Sequence, residues 1–383
     1  MAKENYKIKS LGQVFTPEFI AKKMINLIKN GNRILEPSCG DGVFLRLLKG
    51  KNVVGIEKEV ESSNCLKMDF FDYPIMEKFD TIIGNPPYVA FKDIIPTTKK
   101  KLPMEFLDKR SNLFLYFIYK SFLHLTDNGE IIFITPRDFF SLTSSIKLNN
   151  LLYENGTITD VIEFGDERIF GYEFSPNVVI WRYEKNNFDR RCNYNGEIKY
   201  FYNIDGHYLF LKNNNYTLQL KDIAYVKVGG VTGANNIFNH ESGNIDVVCS
   251  YTKRTGKTKR MIYNIVNEHI KKYKKELIKR KIRKFDEKNW FKWGRDFYIS
   301  NKPRVYVNTR TRDKKPFFIH NSIYYDGTIL GIFPKKEIDI IRFKDMLNNV
   351  DWEELGFVCD GRYMFNQRKL ENTILPKEFE EFL

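Results

Sequence analysis

The chain has 383 residues, 42% of them hydrophobic and 29% charged, so two domains with a sizeable core are expected and a collagen-like or wholly disordered chain is excluded. No apolar run approaches the roughly eighteen residues of a membrane span, and the five scattered cysteines form no CxxC pair, which leaves no basis for a disulfide framework or a cysteine zinc site. The net charge of +14 is unevenly placed: residues 1–190 hold 26 Lys+Arg against 25 Asp+Glu, residues 191–383 hold 36 against 23, and residues 251–315 alone hold 23 against 6. A neutral first half and a basic second half suggest a division of labour in which the second half faces a polyanion.

In chain order, the N-terminal Met1-Ala2-Lys3-Glu4 has no apolar core behind its lysines, so no signal peptide is expected and a cytoplasmic setting is. Pro17 to Lys29 carries Phe19, Ile20, Met24, Ile25, Leu27 and Ile28 at helical spacing. Arg33 to Leu35 reads as a strand, Glu36 to Gly42 as a loop and Val43 to Leu48 as a helix. Val53 to Ile56 and Thr81 to Gly84 read as further strands. Leu113 to Leu125 reads as an apolar helix ended by Asp127-Asn128-Gly129, and Ile131 to Ile134 as a strand after it. This βαβ rhythm predicts an α/β class with a parallel, doubly wound sheet. Val178 to Trp181 is the last strong strand before a polar stretch, Glu184 to Asn195, where the domain boundary is expected, at 190/191. The second half mixes short β-like runs (Val305 to Val307, Ile329 to Phe333) with a lysine-rich helix expected near 262–284, an α+β pattern.

The strongest chemical signal is Asn85-Pro86-Pro87-Tyr88, directly after a strand, at the ligand edge of such a sheet. The amino lone pair of adenine is delocalised into its ring and is a poor nucleophile. Two acceptors facing the NH₂ group, the Asn85 side-chain oxygen and the Pro86 carbonyl, would draw it toward tetrahedral geometry. The prolines stiffen the loop, and Tyr88 offers a flat face for a base taken out of its stack. The second signal is Glu36-Pro37-Ser38-Cys39-Gly40-Asp41-Gly42, a small-residue turn between strand and helix. Its glycines permit close backbone approach to a ligand, although GxGxxG is not met. Glu57 ends the next strand, where an acid can take both hydroxyls of a ribose. Asp69 can accept from an exocyclic amine, with Phe70 flanking a ring.

Taken in order, Gly12-Gln13-Val14-Phe15-Thr16-Pro17, Glu36 to Gly42 and Asn85 to Tyr88 resemble the motifs of the gamma-class DNA adenine-N6 methyltransferases of restriction–modification systems, over about residues 12 to 181. The resemblance implies a Rossmann-like methyltransferase sheet in 1–190, a C-terminal target-recognition domain in 191–383, and S-adenosylmethionine as donor with S-adenosylhomocysteine as product. It implies that Phe15 and Thr16 close over the donor, and that Glu36, Pro37, Ser38 and Gly40 line its methionine end. Glu57 would bind its ribose, and Asp69 and Phe70 its adenine. Asn85, Pro86 and Tyr88 would hold the target base, with Phe170 or Phe174 stacking on it. Direct transfer, with no covalent enzyme intermediate and no metal, is the mechanism implied. Asn rather than Ser at position 85 favours adenine over the cytosine amine by analogy.

In the basic half, Lys221 to Asn236 resembles the opening of recognition domains in these enzymes. Lys253, Arg254 and Lys257 lie in the densest basic loop, which contains GKT but has Tyr251 where a phosphate-binding ATPase loop needs Gly. They are expected on phosphates. Arg310, Arg312 and Arg362 are further expected DNA contacts, since arginine reads guanine edges bidentately. The expected partner is double-stranded DNA, with room for a separate cognate restriction endonuclease; a monomer with no membrane association is expected, in an AT-rich bacterial or phage host. Three alternatives stay open: an RNA adenine methyltransferase, a protein glutamine amide methyltransferase, whose members share NPPY, and a non-catalytic DNA-binding subunit. Only 35 residues precede Glu36 and 295 follow Tyr88, which favours the DNA reading over the glutamine one.

Overall fold

The computed structural model describes residues 15–59, 65–164, 169–170, 177–359 and 361–383. Gly12 to Val14 of the first motif, and Phe174, lie outside them. The chain divides into two compact units, Met1–Asn214 and Asn215–Leu383. Among the described residues no helix is long and apolar enough to cross a membrane.

The first unit begins with α1 (Glu18–Ile25), whose spacing buries Ile20, Ala21 and Met24. The expected helix ran four residues further. Past Ile25 the backbone tightens, with Leu27 N–H bonding Met24 O and Ile28 N–H bonding Ile25 O, both at 3.0 Å and three residues back rather than four. Next come β1 (Ile34–Glu36), α2 (Val43–Leu47), β2 (Val53–Glu57), β3 (Leu66–Lys67) and β4 (Phe79–Gly84). After them follow α3 (Pro96–Lys99), α4 (Leu113–His124), β5 (Leu125–Pro136), α5 (Ile146–Asn155), β6 (Gly156–Glu163), β7 (Val178–Lys185), β8 (Arg191–Tyr194), β9 (Glu197–Ile204) and β10 (His207–Leu211).

These ten strands form one sheet in the order β10-β9-β8-β6-β7-β5-β4-β1-β2-β3. From β3 to β5 every pairing is parallel, while β7 runs antiparallel between β5 and β6. The fold is the expected α/β class, with helices on both faces. Alternation along β5 shows why: Ile131 and Phe133 join the core built around α4, and Ile132 and Ile134 join the core of α1 and α2. Ten of the twelve residues of α4 are buried, so it is an internal helix, apolar nearly all round.

Two expectations are corrected. Asp127-Asn128-Gly129 does not separate helix from strand. Leu125 pairs with Phe79 and Glu130 with Thr81, so the turn is a bulge inside β5, with Asn128 at φ 61°. The unit boundary falls at 214/215 rather than 190/191, because Asp160 pairs in parallel with Asn193 and carries β8, β9 and β10 into the sheet. At the far end of β5 from the strand C-termini, the fully buried Glu130 carboxylate accepts from Lys29 N–H (3.0 Å), Asn30 N–H (2.9 Å), Thr81 Oγ1 (2.8 Å) and Arg182 Nε (2.6 Å).

The second unit is α+β. β11 (Tyr216–Gln219) pairs with β22 (Ile374–Pro376), and β12 (Ala224–Val228), β15 (Val305–Asn308), β17 (Phe317–Phe318) and β19 (Ile329–Pro334) form a sheet in the order β12-β19-β15-β17. β13 (Ile245–Val248), β14 (Lys259–Met261) and β18 (Tyr324–Tyr325) form a second, and β16 (Arg310–Thr311), β20 (Val358–Cys359) and β21 (Arg362–Met364) a third. The helix expected over 262–284 is instead two short ones, α7 (Glu268–Lys271) and α8 (Lys274–Ile278), after α6 (Thr252–Thr255). Ile262 N–H bonds Phe238 O and Tyr263 N–H bonds Asn244 Oδ1, so the stretch before Asn267 belongs to loop contacts. Asn267 then caps α7. Arg280, just past α8, is a packing hub: its guanidinium donates to the carbonyls of Leu277, Thr232, Trp290 and Lys292 and lies over the Phe285 ring at 3.8 Å.

Candidate functional site

In the order β3-β2-β1-β4-β5 the chain winds outward from β1 and then returns to β4 on its other side. The topological switch point is therefore between β1 and β4, where ligands bind in such sheets. The C-terminal ends there are Glu36 and Gly84, so the small-residue turn and Asn85 face each other across it. A cleft lies at this edge, with about 830 Å³ of space when the part open to solvent is counted in.

Eight of the residues singled out by sequence line that cleft: Phe15, Pro37, Ser38, Gly40, Glu57, Asp69, Phe70 and Asn85. Gly40 takes φ 53° and Gly42 φ 76°, the left-handed region open to glycine. A Cβ on Gly40 would stand 3.6 Å from the Phe15 ring, which places that half-exposed ring over the turn. Gly40 N–H donates to Glu57 Oε2 (2.7 Å), and Lys58 and Glu59 N–H donate to Oε1 (2.9 and 3.2 Å). The backbone thus aims this acid before any ligand arrives.

Ser38 Oγ donates to the Asn85 carbonyl (3.1 Å), and Asn85 Nδ2 donates to Thr16 Oγ1 (3.2 Å). The second bond commits the amide nitrogen to the N-terminal segment. Tyr88 is half-buried; its hydroxyl donates to Ile134 O (2.8 Å) and its ring meets Phe114 edge-on at 6.0 Å. Pro86, Tyr88, Thr16 and Glu36 are not in the cleft lining. Phe170 is not either; it packs with Tyr88 on the apolar cluster of α1 and α2.

Glu36 is 1% exposed, and its Oε2 has no hydrogen-bond partner among the described residues. Burial pushes its carboxyl well above the usual range, against a smaller opposing effect of the Cys39 thiol. Asp69 caps the turn Phe70–Asp72 through Phe71 N–H (3.1 Å to Oδ1). Its Oδ2 accepts from Thr98 Oγ1 (2.5 Å) and Lys58 Nζ (3.2 Å). Burial alone would raise this carboxyl, but the bonds from Thr98, Phe71 and Lys58 together hold it below the usual range. Sequence reasoning missed Lys58, Ile94, Ile95 and Thr98, which also line the cleft. The available signals were position alone: Lys58 follows the strand-end acid, and 94–98 follows the Asn85 loop.

In the second unit Arg254, Lys257, Arg310, Arg312 and Arg362 are exposed. Lys253 is half-buried and tied by its ammonium to Asp313 and the Lys315 carbonyl, which makes it a tether between α6 and the loop after β16. Arg310 pairs with Met364 and Thr311 with Tyr363. Alternate residues share a face and opposite residues share one too, so that register sets Arg310 and Arg362 on one face, with Arg312 just past the strand end.

Residues 18–170 match the model of the Eco57I restriction-modification methylase family. The Type II methyltransferase M.HincII of Haemophilus influenzae is 37% identical over 198 residues, 48% of this chain and 38% of that protein. M.TthHB8I of Thermus thermophilus is 31% identical over 180 residues, 41% of this chain and 42% of that protein. The matched part is thus well under half the length of these curated relatives. The solved Type IIL restriction-modification enzyme MmeI in complex with DNA superposes on 97% of this chain and 65% of its own, at 13% identity and a TM-score of 0.43.

Proposed function

We propose that the chain is a site-specific DNA methyltransferase that transfers a methyl group from S-adenosylmethionine to the exocyclic amine of an adenine taken out of the duplex. One observation carries the reading: Asn85 lines the same cleft as Ser38, Gly40 and Glu57, so the base-gripping loop and the donor turn open on one space.

The residues present suit the donor. Pro37, Ser38 and Gly40 would hold its methionine end, with the left-handed Gly40 allowing the backbone to come close. Glu57, already aimed by three N–H groups, would take the ribose hydroxyls. Asp69 and Phe70 would hold the adenine, and Phe15 and Thr16 would cover the site. When bound, S-adenosylmethionine supplies a sulfonium methyl that an amine can take in one displacement, leaving S-adenosylhomocysteine.

Asn85 Oδ1 and the Pro86 carbonyl accept hydrogen bonds from the target amine and draw its lone pair out of the ring. They stabilise the positive charge that builds there, and holding the two reactants in line supplies much of the rate. Tyr88 and Phe170 share one apolar cluster and would present ring faces to the extruded base. The basic second unit would hold the duplex through phosphate neutralisation and arginine contacts.

The test is methyl transfer from labelled donor to duplex DNA, followed by nucleoside analysis of the product. N6-methyladenine is expected, and transfer lost in Asn85→Ala. Label appearing in RNA only, or in a glutamine amide, would replace the substrate reading. Transfer unchanged in Asn85→Ala would remove the chemistry assigned here.

A further inference from the structure

The ring end of the cleft is closed by a clasp that the proposed reaction does not require. Thr98, buried on α3 ten residues past Tyr88, donates its hydroxyl to Asp69 Oδ2 (2.5 Å) and accepts from Lys58 Nζ (2.7 Å). Lys58 Nζ reaches the same Asp69 oxygen at 3.2 Å, and Lys101 Nζ stands 3.8 Å from it. Phe71 N–H fills a position on Oδ1 (3.1 Å). Three elements thus meet at one carboxylate: the residue after β2, the turn after β3, and the segment leaving the Asn85 loop. Lys58, Asp69 and Thr98 all line the cleft.

An ionised carboxylate accepts at about four lone-pair positions and donates none. Three are taken by Phe71, Thr98 and Lys58, so about one acceptor position is left. Among the described residues the three groups bonded to the carboxylate are all donors, which holds it ionised and its plane fixed. A ligand ring carrying an amine can complete the set. One carrying an oxo group at that place sets lone pairs against lone pairs, in a site where Asp69 is 8% exposed and water cannot easily relieve the clash.

We propose that Lys58 and Thr98 are positioning residues that preset Asp69 as an acceptor, so that the cleft selects a 6-amino over a 6-oxo purine in its donor. This rests on the reading of the cleft as a donor site. It adds that selectivity is set by a hydroxyl and an ammonium rather than by Asp69 alone. Because Thr98 belongs to the segment following the Asn85 loop, the clasp also ties that segment to the donor's ring.

The experiment is isothermal titration of the full chain with S-adenosylhomocysteine and with S-inosylhomocysteine, the same ligand with its amine replaced by oxygen. The wild type is expected to prefer the adenosyl form by at least about 100-fold. Thr98→Val and Lys58→Met are expected to weaken the adenosyl ligand about 10-fold and to compress the ratio, and Thr98→Ser to restore it. Should Thr98→Val not fold, Lys58→Met decides, since its ammonium is partly exposed. A wild-type ratio persisting in the variants, even if both affinities fall together, would mark a merely structural clasp and overturn the proposal. A wild type that binds neither ligand would remove the donor reading itself, a different failure.

Discussion

Ser38 Oγ donates to the backbone carbonyl of Asn85 at 3.1 Å, joining the small-residue turn after β1 to the Asn-Pro-Pro-Tyr loop across the gap between β1 and β4. One hydroxyl thereby sets the distance between two groups that the chemistry needs in line. Ser38→Ala is expected to lower kcat about 10-fold or more through misplacement, while Asn85→Ala removes a transition-state acceptor and is expected to cost about 10²–10³ in kcat. Single-turnover transfer of labelled methyl would check both. Equal effects on KM and none on kcat would contradict them.

Glu36 has a pH signature. Its carboxyl sits well above its ordinary value of 4.5 in the folded chain because it is buried, with Asp41 and Glu57 adding like charge and Cys39 and the more distant Arg46 opposing. In the unfolded chain it ionises near 4.5. The folded state therefore binds the extra proton, and stability is lost as pH rises from that value toward the raised one. Glu36→Gln, which mimics the neutral form, is expected to melt above wild type at pH 7–8 and level with it near pH 4.5. Thermal melts across that range decide; a pH-independent difference would show that Glu36 is not held neutral.

The Glu130–Arg182 pair is 2.6 Å long with both side chains at 2% exposure or less. Removing Arg182 strands the Glu130 charge in the sheet, while removing Glu130 leaves Arg182 to Glu184 (3.1 Å) and Asp160 (3.6 Å). Glu130→Ala instead leaves Lys29 and Asn30 N–H without their acceptor, while the Thr81 hydroxyl keeps the Asn30 carbonyl. Either single substitution is expected to cost about 3–5 kcal/mol, read as a shifted urea midpoint. Glu130→Gln, which keeps one acceptor oxygen for the Lys29 and Asn30 N–H groups, should cost less than Glu130→Ala.

Arginines of the second unit are expected to separate into two kinds. Arg280, bonded to four carbonyls, should destabilise the chain when changed to Ala, with Lys unable to restore the fork. Arg310, Arg312 and Arg362, all exposed, should leave melting within about ±0.5 kcal/mol. Their alanine variants should weaken binding to duplex DNA and reduce the salt slope by about one for each lost phosphate contact. Filter binding across a salt series would check it, and unchanged affinity in all three would move the DNA surface elsewhere.

The order of strand, glycine turn, strand-end acids and Asn-Pro-Pro-Tyr could be read in the chain because each is local. Alternating apolar residues mark β5, and Gly40 and Gly42 supply left-handed backbone angles that side-chain-bearing residues seldom adopt. The sequence thus determined the fold class, the sheet edge where the cleft lies and eight of the cleft residues. Only the tertiary structure decided what depends on non-local pairing. The boundary moved to 214/215 because β6 accepts β8 as a neighbour, and the lysine-rich stretch broke into two short helices because Ile262 and Tyr263 bond to distant loops. Lys58 and Thr98 became site residues only when chain segments 40 residues apart met at Asp69. Lys253 proved a tether because its ammonium finds Asp313 rather than solvent. Periodicity records which face a residue takes; it carries no record of which partner, far along the chain, will satisfy its charge.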